Sequence, residues 1–428
     1  MLDKIKKFIS KINNLVFFKS NNLRKLKNIK EAKIIFSCLE NKDQEIVKFV
    51  GGCVKKAINN ELIDDIDLAT SLKPQEVKEK LLKKEIKVID TGLSHGTVTA
   101  YVGQKKFEIT TLREDVITDG RHAKVLFTSD WTKDAKRRDL TINAIYSSIN
   151  GNIFDPFNGV SDLKNGKIRF IGSPNERIQE DYLRILRYFR FFSLYSKNNY
   201  DPDTIKSIKQ NIGGLNKVSN ERIFDELKKI LSLKNLYNLF SLNQSKEIIL
   251  NIFPQFKHWK RLEKTNFLNS KLRDKYDNGL ILAALIVDHS DNYEYFCYKY
   301  KTSNNIRNRL KNISKNFENL KNNKFYSKEN IKKLIYLSNK NSVKDLLFFS
   351  IFINDKIETL SIEKLLDYVS TCEIPKFPIS GDYLKKHGYE TGKELGQKLK
   401  LLEEKWIENN FVLDKKTIEK SLSKINQN

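Results

Sequence analysis

Cysteine is scarce in this 428-residue chain, and its four copies lie far apart. They are Cys38, Cys53, Cys297 and Cys372, and no two of them form a C-x-x-C pair. This spacing argues against a disulfide framework and against a cysteine-ligated zinc site as the basis of the fold. It also indicates a reducing compartment, because structural disulfides belong to oxidising ones.

Long apolar runs are also missing. No segment approaches the roughly 18 consecutive apolar residues that indicate a membrane-spanning helix. The N-terminal stretch MLDKIKKFISKINNLVFF is basic, but its apolar runs are shorter than the hydrophobic region of a secretory signal. The sequence therefore predicts a cytoplasmic protein.

Acidic residues are few compared with basic ones. The chain has 78 Lys and Arg against 53 Asp and Glu, which gives a net charge of +25 and a pI near 9.5. Such an excess favours a polyanionic partner, and nucleic acid is the first candidate. An AT-rich genome, which enriches Lys, Asn and Ile, is the alternative explanation, and composition alone does not separate the two.

The chain divides into two parts with different residue patterns. Its few turn residues, 17 Gly and 7 Pro, cluster in the first half. There, short β-prone stretches with a hairpin turn at Gly103-Gln104 predict an α+β fold with a small mixed sheet. From Asn175 onward, apolar residues recur at helical spacing and predict an all-helical remainder. We expect a basic N-terminal extension, an α+β head, and a helical neck, body and tail at residues 1–30, 31–165, 166–231, 232–370 and 371–428.

A cluster of carboxylates follows two glycines in the stretch GGCVKKAINNELIDDIDLAT. Asp65 and Asp67 are two residues apart on a predicted strand, so both side chains should leave the same face of the sheet. Glu108, on a later strand of the same sheet, adds a third acid. Three carboxylates aimed at one point can hold Mg²⁺ together with phosphate oxygens. An acidic turn between two elements is the alternative.

Candidate phosphate-binding residues lie on both sides of this cluster. Gly51 and Gly52 stand directly before a predicted helix, where the missing side chains let backbone N–H groups approach a triphosphate. In KRRDLTINAIY, Arg137 and Arg138 can form a guanidinium fork on phosphate, with Asp139 free to accept a hydrogen bond from a ribose hydroxyl. A helix N-terminus with an ordinary ion pair is the alternative.

A further candidate element is the predicted helix in EDYLRILRYFRF. Asp181 and Arg184 are three residues apart and are expected to be neighbours on one helix face. Arg187 and Arg190 extend this row. On the residues alone, a helical Asp–Arg pair of this kind indicates a surface salt bridge.

Taken together and in order, these motifs resemble the class II tRNA nucleotidyltransferase/poly(A) polymerase family, within the DNA polymerase β-like superfamily. The stretches that carry the resemblance are GGCVKK…DDIDLAT, SHGTVTAYV…FEITTLR, DGRH, KRRDLTINAI, FDPFNGVSDL, ERIQEDYLRILRYFRF and SNERIFDELKKIL. They cover residues 47–231 closely, and their number and order make the likeness specific.

The resemblance implies a polymerase-β-like catalytic head that uses Mg²⁺ to add nucleotides from CTP and ATP to the 3′ end of tRNA. The tRNA 3′-hydroxyl would attack the nucleotide α-phosphate, and pyrophosphate would leave. Asp65, Asp67 and Glu108 would be the catalytic, metal-binding residues. Asp181 and Arg184 would form a protein template that offers Watson–Crick-like hydrogen bonds to cytosine or adenine. The implied nucleotide-binding residues are Gly51, Gly52, Lys55, Arg137, Arg138, Asp139, Asn143, Asp181, Arg184, Arg187 and Arg190.

The chain departs from the family pattern at one place that bears on the site. Where the family usually has Arg-Asp after its glycine pair, this chain has Lys55-Lys56. Lys55 can still neutralise phosphate as a point charge, although not as a fork. Lys56 reverses a charge, so the ion pair made by the usual aspartate must be absent or replaced.

Two further segments bear on the branch of the family. SHGTVTAYV resembles the CCA-adding branch, and residues 113–136, a flexible loop in the family, are present in full length, which favours complete CCA addition. The stretch FPISGDYLKKHGYETGKELG resembles the C-terminal segment of bacterial tRNA nucleotidyltransferases and offers backbone N–H groups and lysines to RNA phosphates. A poly(A) polymerase, a CC- or A-adding enzyme and a non-catalytic RNA-binding protein are the alternatives.

Overall fold

The computed structural model describes residues 23–40, 45–92, 96–118 and 123–413. The chain divides into two compact units, Met1–Ile252 and Phe253–Asn428. The first unit contains all the described strands together with helices, and the described secondary structure of the second unit is helical. Within the described ranges no helix is long and apolar enough to cross a membrane.

The sheet-bearing part of the first unit is built from short strands and helices. They are α1 (Arg24–Lys27), α2 (Lys30–Leu39), β1 (Val47–Val50), α3 (Gly52–Ile58), β2 (Ile66–Thr70), α4 (Pro74–Leu82), β3 (Lys87–Gly92), β4 (Thr97–Val102), β5 (Lys105–Thr111), β6 (Arg113–Thr118), β7 (Ala123–Phe127), α5 (Trp131–Lys136), β8 (Tyr146–Ser147), β9 (Ile153–Phe154) and α6 (Gly159–Asn165). A 3₁₀ turn, Thr141–Asn143, lies between α5 and β8.

Seven strands form one mixed sheet in the order β3-β4-β5-β2-β1-β8-β9. β2 and β5 run parallel, and the other neighbouring strands run antiparallel. The parallel pair sets Asp67 opposite Glu108. Parallel strands need a long crossover connection, which here is formed by α4, β3 and β4. Two acids that are distant in sequence therefore become neighbours on the sheet.

An apolar cluster fastens the sheet to the segment that carries the motif KRRDLTINAI. It consists of Val50, Ala69, Leu112, Ala135, Ala144, Tyr146 and Ile171, with Trp131, Phe154 and Phe157 packed against it. These residues come from β1, β2, β8 and α5, from the chain directly after β5 and directly after the 3₁₀ turn, and from the chain after α6. The glycine pair after β1, the acids of β2 and the arginines after α5 are therefore held by one core.

Residues 113–136, where the family resemblance implies a flexible loop, contain regular secondary structure in their described part. β6 and β7 pair antiparallel as a separate two-stranded sheet, and α5 follows with Asp130 as its N-cap. The reason is local: β-prone runs, DVIT and KVLF, lie on both sides of a stretch that contains glycine. The motif DGRH itself lies outside the described residues.

Helices complete the first unit: α7 (Pro174–Glu180), α8 (Arg184–Tyr195), α9 (Pro202–Asn211), α10 (Asn220–Leu231), α11 (Asn238–Ser241) and α12 (Asn243–Ile252). Ser173 and Asp201 cap α7 and α9, and each helix begins with proline, a residue suited to the first helical position. α8 packs against α10 and buries its apolar side chains, Ile185, Leu186, Tyr188, Phe189, Phe191 and Phe192. Its arginines are left on the remaining face.

The second unit is a set of helices with apolar cores. They are α13 (Ser270–Arg273), α14 (Asn278–Ile286), α15 (Asn292–Lys299), α16 (Asn304–Lys315), α17 (Lys328–Leu337), α18 (Lys340–Ile353), α19 (Thr359–Thr371), α20 (Gly381–Lys385) and α21 (Lys393–Glu408). The apolar helix α14 packs against α16 and α18. The two last helices enclose a smaller cluster of Ile379, Leu384, Tyr389 and Leu402.

The mixed sheet followed by helices confirms the predicted fold class, including the hairpin turn between β4 and β5. The last part of the predicted basic N-terminal extension is folded and partly buried. Residues 23–30 are largely helical, and Leu23 and Leu26 are buried, each with 1% of its surface exposed. The apolar residues of this short stretch pack inward while Arg and Lys side chains take the solvent side.

Gly159 at the start of α6 makes a close contact that should be sensitive to substitution. A Cβ atom there would lie 2.2 Å from the backbone carbonyl oxygen of Thr141. We expect Gly159→Ala to lower the free energy of unfolding by about 1–3 kcal/mol, the usual cost of overpacking. Gly213→Ala is the matched control, because its Cβ would meet nothing within 4 Å. Urea denaturation that gives equal stabilities for the two variants would contradict this contact.

Candidate active site

A cavity of about 1600 Å³ lies in the first unit. It is lined by residues of α3, β2, α8 and the segment after α5. It brings together every residue that the sequence predicts for the site except Glu108, namely Gly51, Gly52, Lys55, Asp65, Asp67, Arg137, Arg138, Asp139, Asn143, Asp181, Arg184, Arg187 and Arg190. Three motifs that are distant in sequence therefore share one cavity.

The two aspartates of the glycine–acid motif face this cavity from slightly different positions than predicted. Asp67 lies on β2 and is partly buried, whereas Asp65 precedes the strand and is exposed. Burial raises the pKa of Asp67 to about 6, and the negative charge of Glu108 adds to the effect. A cation bound beside Asp67 would relieve both causes of that shift.

Glu108 does not complete a group of three acids. It lies opposite Asp67 in register, but its carboxylate forms an ion pair with Lys106 and does not line the cavity. In the part of the chain that the structure describes, no three His, Cys, Asp or Glu side chains are grouped so that they could hold a metal ion. The predicted convergence of three carboxylates is therefore not observed. Lys106 is two residues away on the same face of β5 and holds the Glu108 carboxylate aside.

Asp65 and Asp67 nevertheless fit a magnesium ion. Mg²⁺ is usually bound through one or two carboxylates, and waters and substrate phosphates complete its octahedral shell. Both aspartates line the cavity, and Asp67 carries a raised pKa that an adjacent cation would lower. The donor set for one such ion is therefore present on the cavity wall.

The glycine pair forms the turn between β1 and α3 beside these acids. Gly51 has a φ of 69°, a backbone conformation that favours glycine. A Cβ atom there would lie 3.9 Å from Oδ2 of Asp67, and one on Gly52 would meet nothing within 4 Å. The turn thus leaves its backbone open to the cavity.

Asp134 is a residue of the site that the sequence reasoning missed. It is buried at the end of α5 and forms ion pairs with both Arg137 (2.7 Å) and Arg138 (3.2 Å). Tyr146 donates a hydrogen bond to it at 2.6 Å. Burial alone would raise the pKa of Asp134, but the two arginine charges outweigh burial and lower it to about 2. The arginines are therefore oriented before any ligand binds.

Asp139 is not the free acceptor that the sequence predicts. It is buried, and its carboxylate accepts hydrogen bonds from the backbone N–H of Leu140 (2.9 Å), Nδ2 of Asn143 (2.7 Å) and Nε of Arg187 (2.6 Å). Burial would raise its pKa, but the Arg187 charge and these hydrogen bonds hold the pKa well below its usual range. A buried carboxylate needs such partners, and they occupy both of its oxygens.

Lys55 is buried rather than extended toward solvent, with 2% of its surface exposed. Its Nζ atom donates a hydrogen bond to Oδ1 of Asn143 and lies 4.1 Å from the centre of the Phe191 ring. Burial lowers the pKa of Lys55 to about 7, although the charge of Asp139 opposes the shift. The environment therefore disfavours the charged form of this lysine.

Asp181 and Arg184 do not lie on one helix, because the predicted helix is broken between them. Asp181 ends α7 in an extended conformation, and α8 begins at Arg184. The Asp181 carboxylate accepts a hydrogen bond from the backbone N–H of Leu183, as in an Asx turn, and pairs with Arg222 at 2.8 Å. Arg184 pairs with Glu180 at 2.6 Å. Asp181 and Arg184 are therefore each paired with another residue and not with one another.

Lys56, which occupies the position where the family usually has aspartate, makes an ion pair of its own. Lys56 forms an ion pair with Asp64. Asp64 also accepts a hydrogen bond of 2.9 Å from the backbone N–H of Asp65. Lys56 is therefore the cation of an ion pair at the position where the family's aspartate would be the anion. The ion pair of that aspartate is thus replaced.

Aromatic and lysine side chains of the cavity were also missed. Phe191 and Tyr195 line it from α8, and Lys229 and Lys234 line it from the end of α10 and the residues that follow. Phe191 and Tyr195 continue the face of Arg184 at helical spacing, so the periodicity could have found them. The lysines carried no comparable signal, because their place depends on how α10 packs.

Two family models match the chain. The family described as "Poly A polymerase head domain" matches residues 47–169, and "Probable RNA and SrmB- binding site of polymerase A" matches residues 199–260. The first range contains the sheet, the glycine turn and the acids. The class defined by this fold and site is therefore that of the poly(A) polymerase-type nucleotidyltransferases.

Curated relatives narrow this class. The human mitochondrial CCA tRNA nucleotidyltransferase 1 is 37% identical over 392 residues, which is 87% of this chain and 86% of that protein. The CCA-adding enzyme of Lactobacillus helveticus is 32% identical over 391 residues, 87% of this chain and 92% of that protein. This chain belongs to the CCA tRNA nucleotidyltransferase family and is an enzyme of that class.

Solved structures show the same polymerase-β-like fold. The Bacillus stearothermophilus CCA-adding enzyme in complex with CTP gives a TM-score of 0.71 at 24% identity and covers 95% of this chain and 98% of that one. The Thermotoga maritima CCA-adding enzyme complexed with tRNA gives 0.64 at 21% identity and covers 94% and 98%. The fold of this chain is therefore one already known from solved CCA-adding enzymes.

The burial of Lys55 predicts a change in how stability depends on pH. An unfolded lysine has a pKa of about 10.4. Since the folded value is lowered to about 7, the unfolded chain binds more protons between these pH values, and the free energy of unfolding rises with pH there. Lys55→Met removes this contribution, so urea denaturation from pH 7 to 9 should show a smaller rise than in the wild type.

Lys78→Met is the matched control for this measurement. Lys78 lies on α4 and is partly exposed, with its ammonium paired to Asp90 at 2.6 Å. We expect this variant to keep the wild-type pH dependence. Equal pH dependence in the wild type and in Lys55→Met would show that Lys55 does not sit in the desolvated position described above.

Proposed function

We propose that this enzyme adds CCA to the 3′ end of tRNA from CTP and ATP, without a nucleic-acid template. The observation that carries the proposal is the one cavity in which the two aspartates, the arginines of α8 and the pair Asp181 and Arg184 meet. Relatives named CCA-adding enzymes support the same activity.

In the proposed reaction the tRNA 3′-hydroxyl attacks the α-phosphate of the nucleotide. A new bond forms between that oxygen and phosphorus, the bond from the α-phosphorus to the bridging oxygen breaks, and pyrophosphate leaves. Asp65 and Asp67 would hold Mg²⁺, and Glu108 would assist as a nearby negative charge. When bound, the metal would supply a Lewis acid for the phosphate and the attacking hydroxyl.

The cationic side of the cavity would bind the triphosphate. Arg137 and Arg138 are held by Asp134, so the nucleotide would meet guanidinium groups that are already oriented. The open backbone at Gly51 and Gly52 would add N–H donors. We assign Asp139 to the same nucleotide site through its ion pair with Arg187, in place of the free ribose acceptor that the sequence suggested.

Base selection would depend on Asp181 and Arg184. A carboxylate accepts a hydrogen bond from the exocyclic amino group that cytosine and adenine share, and a guanidinium donates to their ring or carbonyl acceptors. To reach a base, these residues would exchange their ion pairs with Arg222 and Glu180. Those ion pairs would keep the two side chains in place while the cavity holds no nucleotide.

The helical body and tail would hold the tRNA. Lys385 and Lys386 stand at the end of α20, and Lys393 begins α21, so the tail offers several cations close together. The excess of 78 basic over 53 acidic residues in the chain gives the electrostatic attraction that RNA binding requires. A cytoplasmic location remains our prediction from the sequence.

The central test supplies tRNA that ends before CCA, with CTP and ATP separately and together, and reads the products at single-nucleotide resolution. We expect two C residues with CTP alone and CCA with both. Asp67→Asn should abolish both C and A addition, because loss of a metal ligand costs several kcal/mol of transition-state stabilisation, or roughly a thousandfold in rate. Its affinity for tRNA should stay close to that of the wild type.

Asp90→Asn is the matched control, since Asp90 is a surface acid of the same sheet, paired with Lys78 away from the cavity. It should transfer C and A at the wild-type rate. Near-normal turnover by Asp67→Asn would refute the catalytic assignment. A long tail grown from ATP alone would identify a poly(A) polymerase, and addition that stops after CC, or that needs CC beforehand, would identify a partial enzyme.

The template assignment predicts a loss of selection in Asp181→Ala and Arg184→Ala. A site that hydrogen-bonds a base rejects a mismatched base because buried polar groups are left unpaired, at about 1–3 kcal/mol each. Both variants should therefore incorporate U or G at the C steps more often than the wild type, as read by sequencing the products formed from all four nucleotides.

Arg169→Ala is the control for this measurement, because Arg169 pairs with Asp162 outside the cavity. It should keep the wild-type choice of nucleotide. Unaltered selection in both template variants, with a lower stability as the only change, would return Asp181 and Arg184 to a structural role.

A further inference from the structure

Four side chains form a continuous line of hydrogen bonds across the cavity wall. Nζ of Lys55 donates to Oδ1 of Asn143, and Nδ2 of Asn143 donates to Oδ1 of Asp139 at 2.7 Å. Nε of Arg187 donates to the other carboxylate oxygen of Asp139 at 2.6 Å. The line therefore runs from α3, through the 3₁₀ turn, to α8. We call these four residues the Lys55–Arg187 relay.

Asn143 is chemically suited to the middle of this relay. Lysine can only donate hydrogen bonds and a carboxylate can only accept them, so a residue that joins the two must accept on one side and donate on the other. A side-chain amide does this with its oxygen and its nitrogen. Asn143 is also largely buried, although it lines the cavity, and both ends of its amide are already hydrogen-bonded within the relay. The position of Lys55 therefore fixes the Asn143 amide, and the amide in turn orients the Asp139 carboxylate.

The surroundings of Lys55 direct it to the relay and away from a ligand. Its Nζ atom lies 4.1 Å from the centre of the Phe191 ring, and the guanidinium carbon of Arg190 lies 4.2 Å from the same ring. The ammonium is therefore enclosed between an aromatic face and the Asn143 amide. Lys55 and Arg187 both line the cavity, but Arg187 has 31% of its side chain exposed, whereas Lys55 has only 2% of its surface exposed.

We propose that Lys55 is a positioning residue, which fixes the guanidinium of Arg187 for the nucleotide through Asn143 and Asp139, and does not itself contact the triphosphate. This inference rests on the proposed function, because it takes the cavity to be a nucleotide site. Asp139 engages the Nε edge of Arg187, which leaves the Nη nitrogens as donors for the nucleotide.

The relay gives a physical reason for lysine at this position. A guanidinium carries five N–H donors in a fixed fork and would need several acceptors, whereas an ammonium can be satisfied by one amide oxygen and an aromatic face. Lysine therefore suits this buried position, which needs a hydrogen-bond donor with few acceptors around it, better than arginine does.

The test compares Lys55→Met, Asn143→Leu, Arg187→Met and the double variant Lys55→Met/Arg187→Met. For each, KM and kcat for CTP are measured on tRNA that ends before CCA, and inorganic tripolyphosphate is used as a competitive probe of the phosphate site. We expect Lys55→Met and Asn143→Leu each to raise KM for CTP about tenfold, the effect of losing one hydrogen bond to a charged group. The inhibition constant of tripolyphosphate should rise in Lys55→Met no more than it does in Arg187→Met.

The double variant separates the relay from two independent contributions. If Lys55 acts through Arg187, adding Lys55→Met to Arg187→Met should raise KM no further. Additive effects on KM would overturn the proposal. So would a further loss of tripolyphosphate binding when Lys55→Met is added to Arg187→Met, because that result would make Lys55 itself a phosphate ligand. Lys78→Met, with the lysine outside the cavity, should behave as the wild type.

Folding is checked by thermal unfolding of each variant. Lys55→Met keeps the length of the side chain and removes a buried ammonium, so it should fold, and Asn143→Leu tests the same relay at a second point. A wild-type enzyme that fails to add C and A would refute the proposed function itself. A wild-type enzyme that adds both, with unchanged KM in Lys55→Met and Asn143→Leu, would refute the relay alone.

Discussion

The ion pair between Asp139 and Arg187 joins the sheet-bearing part of the first unit to helix α8, and the cavity depends on that connection. Asp139 is buried, and a buried carboxylate is tolerated only when it is paired and hydrogen-bonded. The same arrangement recurs nearby, where Asp134 holds Arg138 and Glu226 holds Arg190. Arg138, Arg187 and Arg190 are thus each fixed by an acid, so this part of the positive wall is formed without a ligand.

Much of this site could be predicted from local sequence. The glycine pair after β1, Asp67 on β2 and the arginines after α5 are carried by short motifs, and the structure brings them into one cavity. The fold class followed from alternation in the first part of the chain and helical spacing in the rest. These signals are local, because the pattern that predicts a strand or a helix lies in residues that are close together in the sequence.

The partners of the charged residues could not be predicted in the same way. Nothing in the sequence tells that Glu108 pairs with Lys106 and does not line the cavity, or that Arg184 pairs with Glu180. The break at Asp181 also escaped the periodicity, because an apolar pattern can continue across two helices that meet end to end. Side-chain pairing is decided by tertiary packing, which single-sequence patterns do not contain.

The parallel pairing of β2 with β5 has a consequence for the order of folding. Asp67 becomes a neighbour of Glu108 only after α4, β3 and β4 have been placed between their strands, and such non-local pairing forms late. Repulsion between the two acids opposes the step, so the apolar core must supply the driving force. A chain that has collapsed but not completed this sheet would therefore still hold Asp67 and Glu108 apart.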